Sequence, residues 1–346
     1  MVEMRFITGE KWPRSAAVAL LTVGVLASAA PLLAGDPPAP GSSAVEQAAI
    51  SADPPVRPQQ LKLEDLPRPL GPTKALFNGR DLRGWDVWLG LPDPAKTFSA
   101  TRGTPIGLNK DGSHVFSVVI EDGAPAILAD GKPYGNLTSK AAFGNYHLRL
   151  EYKWGENTTA SAPRNSGLLY HSRGPYGAFF STWMSAVEFQ MIPHSIGLVL
   201  AVGENAKGPS NFDINWTTRV QAPVGHDPVL PYPSRRYMPG GRLITLMPPA
   251  YVVEPASDAE RPIGQWNRID LYAVGNRSIH VVNGLPVMAT ESLTAIDAKD
   301  GKPRPLTRGR FQLEAEGAQI YFRDIMIEPI SRLPRITVVE ETGKAH

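Results

Sequence analysis

The stretch "SAVEFQM", Ser185–Met191, sets Val187, Phe189 and Met191 in alternation with Glu188 and Gln190. A period of two is the mark of a β-strand. It sends three apolar side chains to one face and a carboxylate and an amide to the other. Either the polar face looks into water or it lines a place where something polar binds.

Strand signals of this kind recur on both sides. "HVFSVVIED", "PAILAD", "NLTSK" and "GNYHLRLEYKWGE" precede it, with "SGLLYHSRG" immediately upstream. "RLITLM", "WNRIDLYAVG", "SIHVVNG", "GRFQLEAEG" and "QIYFRDIMIEPI" follow. Ten to twelve short strands without intervening helices predict two packed antiparallel sheets, an all-β sandwich with long rim loops. Short helical turns are expected only at Asp65–Pro67 and around Leu293. Thirty-two glycines and 34 prolines agree with strands broken by turns. Asn283-Gly284 reads as a hairpin turn.

The 346 residues are 42% hydrophobic and 20% charged, enough for a sizeable core. Net charge is +2 with Lys and Arg scattered, which argues against a nucleic-acid partner. Lys11 and Arg14 precede the apolar "SAAVALLTVGVLASAAPLLAG", with Ala27-Ser28-Ala29 as a cleavage site. Residues 1–35 therefore read as a signal peptide, the alternative being an uncleaved anchor. Export to periplasm or medium is expected, with no membrane association beyond that segment. With no cysteine in the chain, stability must come from the core. A Pro-, Ala- and Ser-rich tether is expected over 36–73, a folded domain over 74–331 and a tail over 332–346. The Pro-rich region Gly203–Gly264 is long for a plain connection and is expected to pack over one rim.

Several phrases together resemble the DUF1080 family, the 3-keto-disaccharide hydrolases. They are "LFNGRDLRGWDVW", "LTSKAAFGNYHLRLEYKW", "RNSGLLYHSRGP", "WMSAVEFQM", "GQWNRIDLYAVGNRSIHVVNG" and "IYFRDIMIEPI". Six separated blocks agree in order over Lys74 to Ile330. The resemblance implies a concanavalin A-like jelly-roll, a carbohydrate partner, and cleavage of glycosides oxidised to a ketone at C3. One departure is "IPHSIGLVLAVGENA", where His194 stands in place of an expected acid.

A C3 ketone acidifies the hydrogen on C2. A base can remove it, the C1 substituent leaves, and water adds back. Such a site needs a base, a partner for the enolate oxygen and an acid for the leaving group. Glu188 suits the base, with Gln190 positioning substrate; the other reading is a solvated acid on an exposed face. In "HLRLEYKW" the residues Arg149, Glu151 and Lys153 share a face, so Lys153 could stabilise an enolate with Glu151 holding it, or both could form cross-strand surface pairs. His171, sharing a face with Gly167 and Leu169, suits proton transfer to the departing oxygen. Arg164 and Lys140 at the rim could hold hydroxyls, and Trp183 and Tyr176 could stack on a pyranose or plug the core. A divalent cation near Glu188, His171 or Glu151 would suit enolate chemistry, although no metal-ligand spacing marks one.

Two other classes stay open: a non-catalytic glycan-binding module on the same face, and an ordinary endo-glycosidase. The latter is disfavoured because "EFQ" lacks a second acid.

Overall fold

The computed structural model describes residues 60–98, 103–158, 164–203, 216–222, 235–246, 253–297 and 299–339. The expected signal segment and about half of Gly203–Gly264 lie outside them.

Two antiparallel sheets form the sandwich. The seven-stranded sheet runs, edge to edge, Val199–Val202, Ser185–Met191, Ser166–Arg173, Arg310–Ala315, Gly135–Ser139, Trp85–Leu89 and Gly107–Leu108. The eleven-stranded sheet is built around Asn267–Val274, Tyr146–Thr158 and Ala318–Pro329. Period-two alternation supplies the core between them. Val187, Phe189 and Leu168 come from one sheet, and Leu148, Leu150, Tyr152, Ile269 and Phe322 from the other, all fully buried in one cluster.

Helix is confined, among the described residues, to a 3-10 turn at Pro94–Lys96. The turns expected at Asp65–Pro67 and Leu293 do not form. Leu293 lies inside the strand Leu285–Ile296, where its fully buried side chain serves the core. A small ribbon pairs Leu61–Glu64 with Arg335–Val338, so ordered structure extends past the expected limits of 74 and 331.

One irregularity decides the fate of a candidate residue. Tyr170 pairs with Val187 but Arg173 with Ser185, so the strand Ser166–Arg173 carries one extra residue, a β-bulge. His171 sits in it with φ of +52°. The backbone of Gly309 crosses so closely that a β-carbon there would lie 2.2 Å from the His171 carbonyl carbon.

Candidate active site

The outer face of the seven-stranded sheet carries two rows of side chains. Cross-strand register aligns Glu188, Leu169, Gln312, Thr138 and Asp86 in one. Continuing the same pairings aligns Gln190, Gly167, Glu314, Asn136 and Trp88 in the other. Glu188 thus lies on the polar face expected from its alternation, with Gln190 beside it. Both are buried, at 4% and 2% exposure, so neither is a solvated surface group. Gln190 curls back to accept the Met191 N–H at 2.8 Å through its Oε1.

The central feature is a pair of carboxyls meeting over a glycine. A β-carbon built on Gly167 would lie 2.6 Å from Glu188 Oε1 and 2.6 Å from Glu314 Oε2. The missing side chain is what lets the two acids converge. Burial pushes the Glu188 carboxyl up to about 8, although contact with Glu314 opposes the rise. Burial also pushes Glu314 well up, and the charges of Glu188 and Glu316 push it further. Glu316, two residues on, is raised by burial and by Glu188. Two like charges in contact away from water cannot both ionise, so Glu314 keeps its proton while Glu188 is the one that ionises, as pH climbs through about 8.

A loop roofs this face. Phe179, Phe180 and Trp183 pack on Leu169, Ala186 and Val202, with Phe98 and Tyr134 alongside. Sheet side chains hold the roof down: Asn136 Nδ2 donates to Thr182 O at 2.7 Å, Trp88 Nε1 to Ser181 O at 3.0 Å, and Gln312 Oε1 accepts from Met184 N at 3.0 Å. Trp183 is 2% exposed and stacks on Phe98, so it closes the site rather than offering a sugar-stacking platform. Its indole lies near Glu314, yet neither Trp183 Nε1 nor Glu314 Oε2 completes a hydrogen bond.

Further along the face, Tyr176 is half-buried and stacks on Trp88 at 5.6 Å. Its hydroxyl donates to Asp86 Oδ2 at 3.1 Å and accepts from Arg310 Nη1 at 2.8 Å. Exposed Lys140 faces Asp86 at 3.5 Å. Lys140 and Tyr176 therefore share the face with Glu188, on strands and loops toward its other edge. Arg164 stands at the rim, donating to Gly155 O at 3.3 Å, with its Nε buried and unpaired.

Three expected members are elsewhere. Glu151 and Lys153 project from Tyr146–Thr158 on the outer face of the other sheet, with the sandwich between them and Glu188. Lys153 is ion-paired with Glu121 and with Asp122, the latter at 2.6 Å, and Glu151 accepts from Arg323 Nε at 2.7 Å. Reading "HLRLEYK" as an extension of the polar floor thus fails, because alternation fixes that two faces differ but not which sheet owns the strand. His171 is turned by its bulge into the sandwich interior, fully buried, with its ring edge-on to Tyr146 and Tyr170. Burial pushes its pKa down to about 4, and it is not placed to protonate a group at Glu188.

Sequence reasoning missed Glu314, which supplies the second acid thought to be absent, and Glu316. The signal was present in "FQLEAE", where Phe311, Leu313 and Ala315 alternate with Gln312, Glu314 and Glu316 as cleanly as in "VEFQM". The three acids offer hard oxygen donors of the kind a divalent cation takes. However, no group of three or more such side chains among the described residues is arranged to hold a metal ion. Glu188 and Glu314 instead face each other.

The chain resembles solved structures only remotely. A Parabacteroides distasonis protein, assigned by inference as a glycosyl hydrolase, is 17% identical, covers 75% of this chain and 94% of its own, and has a TM-score of 0.39. A Bacillus subtilis protein of unknown function with a galectin-like fold is 12% identical, with 78% and 99% coverage and a TM-score of 0.37. No curated protein matches. Likenesses this distant carry no argument about the site. The family described as 3-keto-alpha-glucoside-1,2-lyase-like domain matches residues 72–328, most of the chain and all of the sites above. The chain belongs to that family of carbohydrate-active jelly-roll proteins.

Proposed function

We propose that the protein cleaves 3-keto glycosides by elimination followed by hydration, with Glu188 and Glu314 exchanging protons. The carboxyl pair over Gly167 is the observation that carries this reading. Ionised Glu188 takes the C2 proton, and the electron pair left behind forms the enolate. When the enolate collapses, the C1–O bond breaks and Glu314 protonates the departing oxygen. The pair has then exchanged roles. Glu314 takes a proton from water as that oxygen adds to C1, and Glu188 returns its proton to C2. Trp183 Nε1, buried beside the pair without an acceptor, serves the enolate oxygen. We further read the protein as exported, from its apolar N-terminal segment; sequencing the mature N-terminus tests that.

The second acid favours an ordinary glycosidase more than the sequence did. Yet a retaining mechanism needs the anomeric carbon between carboxyls about 5 Å apart, and an inverting one needs a wider gap still. Acids in contact leave no such room.

The test is aglycone release from a 3-keto glucoside and from its unoxidised parent. Release from the keto sugar alone is expected, rising as pH climbs through about 8, where Glu188 ionises. Release from both substrates would establish the glycosidase, and binding without release a glycan-binding module. Glu188→Gln should lose roughly 10³-fold in kcat, the usual weight of a general base, with folding intact. An unchanged rate would remove Glu188 from the chemistry.

A further inference from the structure

We infer that Glu316 and Asn165 form a subsite for the C4 and C6 hydroxyls of the attacked ring, and so select among sugars; this rests on the function proposed above. Leu313 pairs with Leu168 and Gln312 with Leu169. Three further steps in that register place Asn165 opposite Glu316, and the Ser166 hydroxyl bonded to Glu314 O at 3.0 Å keeps the two segments together past the last paired residues. Leu168 points into the core, so alternation sends Asn165, like Gly167 and Leu169, to the outer face that bears Glu314 and Glu316. Opposed side chains in such a pair lie about 5 Å apart.

Asn165 is 6% exposed and its Oδ1 is buried with no hydrogen-bond partner. A buried amide oxygen without a donor costs free energy unless a ligand supplies one. Roof-holding occupies Asn136 and Gln312, whereas Asn165 Oδ1 is unengaged. An acid and an amide oxygen facing each other match hydroxyls, which donate and accept at once. Two residues along a strand span about 7 Å, so Glu316 is displaced from Glu314 by about one pyranose ring. With C1 and C2 at the carboxyl pair, the groups at the far side of the ring are the C4 and C6 hydroxyls.

The experiment compares a 3-keto glucoside with its 4,6-dideoxy analogue on wild type, Glu316→Gln and Asn165→Ala. Either variant should lose roughly 10- to 100-fold in kcat/KM on the full substrate, mainly through KM, as for a hydrogen bond to a buried polar or charged group. On the dideoxy analogue, wild type and variants should perform alike. Equal losses on both substrates would overturn the inference while leaving the proposed chemistry intact. Ligand-observed NMR with unoxidised methyl glucopyranoside separates the two further. Binding weakened in the variants supports the subsite even if no keto sugar is cleaved, and binding absent or unaltered overturns it. Thermal melts confirm that each variant is folded.

Discussion

The two outer faces of the sandwich carry similar polar residues and treat them oppositely. On the eleven-stranded sheet Glu151 and Lys153 each have a counter-charge. Lys153 meets Glu121 and Asp122, and Arg323 binds Glu151 while lying 3.7 Å over the Trp266 ring. Buried His147 has Asp270 at 2.7 Å on one ring nitrogen and Glu328 at 2.9 Å on the other, and Arg268 grips Asp270 at 2.6 Å. On the seven-stranded sheet Glu188, Glu314 and Glu316 are buried among one another beneath an aromatic roof. Paired charges stabilise a face, while acids buried against one another raise the cost of ionising and make the face reactive. The difference separates scaffold from candidate site more sharply than residue type does.

It also gives the faces opposite pH responses. Glu188 is raised, so its contribution is complete below the ordinary carboxyl value of 4.5 and is lost as pH climbs through about 8. For Asp270, burial pushes upward, but hydrogen bonds from His147 and Arg268 outweigh it and leave the pKa low. Its contribution is therefore present above the ordinary Asp value of 3.8 and is lost as pH falls below it.

Among changes that leave every ionisable group in place, the largest effect is expected from Gly167→Ala. The new methyl would meet two carboxyl ends, which can swing, and not fixed backbone. The fold should survive and the acids should part. Turnover of a 3-keto glucoside should drop about 100-fold, within the range general acid–base catalysis contributes, and the rate should cease to climb near pH 8. A variant with native kcat and pH profile would show that contact between the acids is irrelevant.

Asp270→Asn probes the paired face. It removes charge from a buried hydrogen-bonded cluster and should cost about 2 kcal/mol in denaturant melts at pH 7, with turnover unchanged. The cost should shrink only as pH falls below the ordinary Asp value of 3.8 and the wild-type group takes up a proton too. A loss of activity in a folded sample would instead couple the two faces.

Much of this was readable before any coordinates. "SAVEFQM" placed Glu188 and Gln190 on a face opposite Val187, Phe189 and Met191, and the core bears that out. What alternation could not tell was which sheet a strand joins. "HLRLEYKW" and "VEFQM" look alike, but Lys153 is answered by Glu121 and Asp122, some thirty residues earlier on a hairpin that only the fold brings near. His171 escaped for a local reason. One inserted residue and the close passage of Gly309 shift the period by one, and a side chain read as facing outward turns into the core. Glu314 escaped because alternation speaks for one strand at a time, whereas the pair is made across strands, through a glycine lying between them.

The smallest effect tests that lesson most directly. Lys153→Met keeps an unbranched aliphatic stem and deletes the ammonium that lies over the Trp266 and Tyr321 rings and between Glu121 and Asp122. Burial works against the Lys153 charge, but its two acidic partners more than compensate and hold its pKa above the ordinary value. Those partners are partly solvated, so stability should fall by no more than about 1 kcal/mol, the usual ceiling for a solvent-screened ion pair. Turnover should be unaltered, because the side chain lies across the whole sandwich from Glu188. If Lys153→Met instead abolished elimination while melting normally, the enolate partner would be on the paired face, and the assignment of the reaction to the carboxyl pair over Gly167 would have to be abandoned.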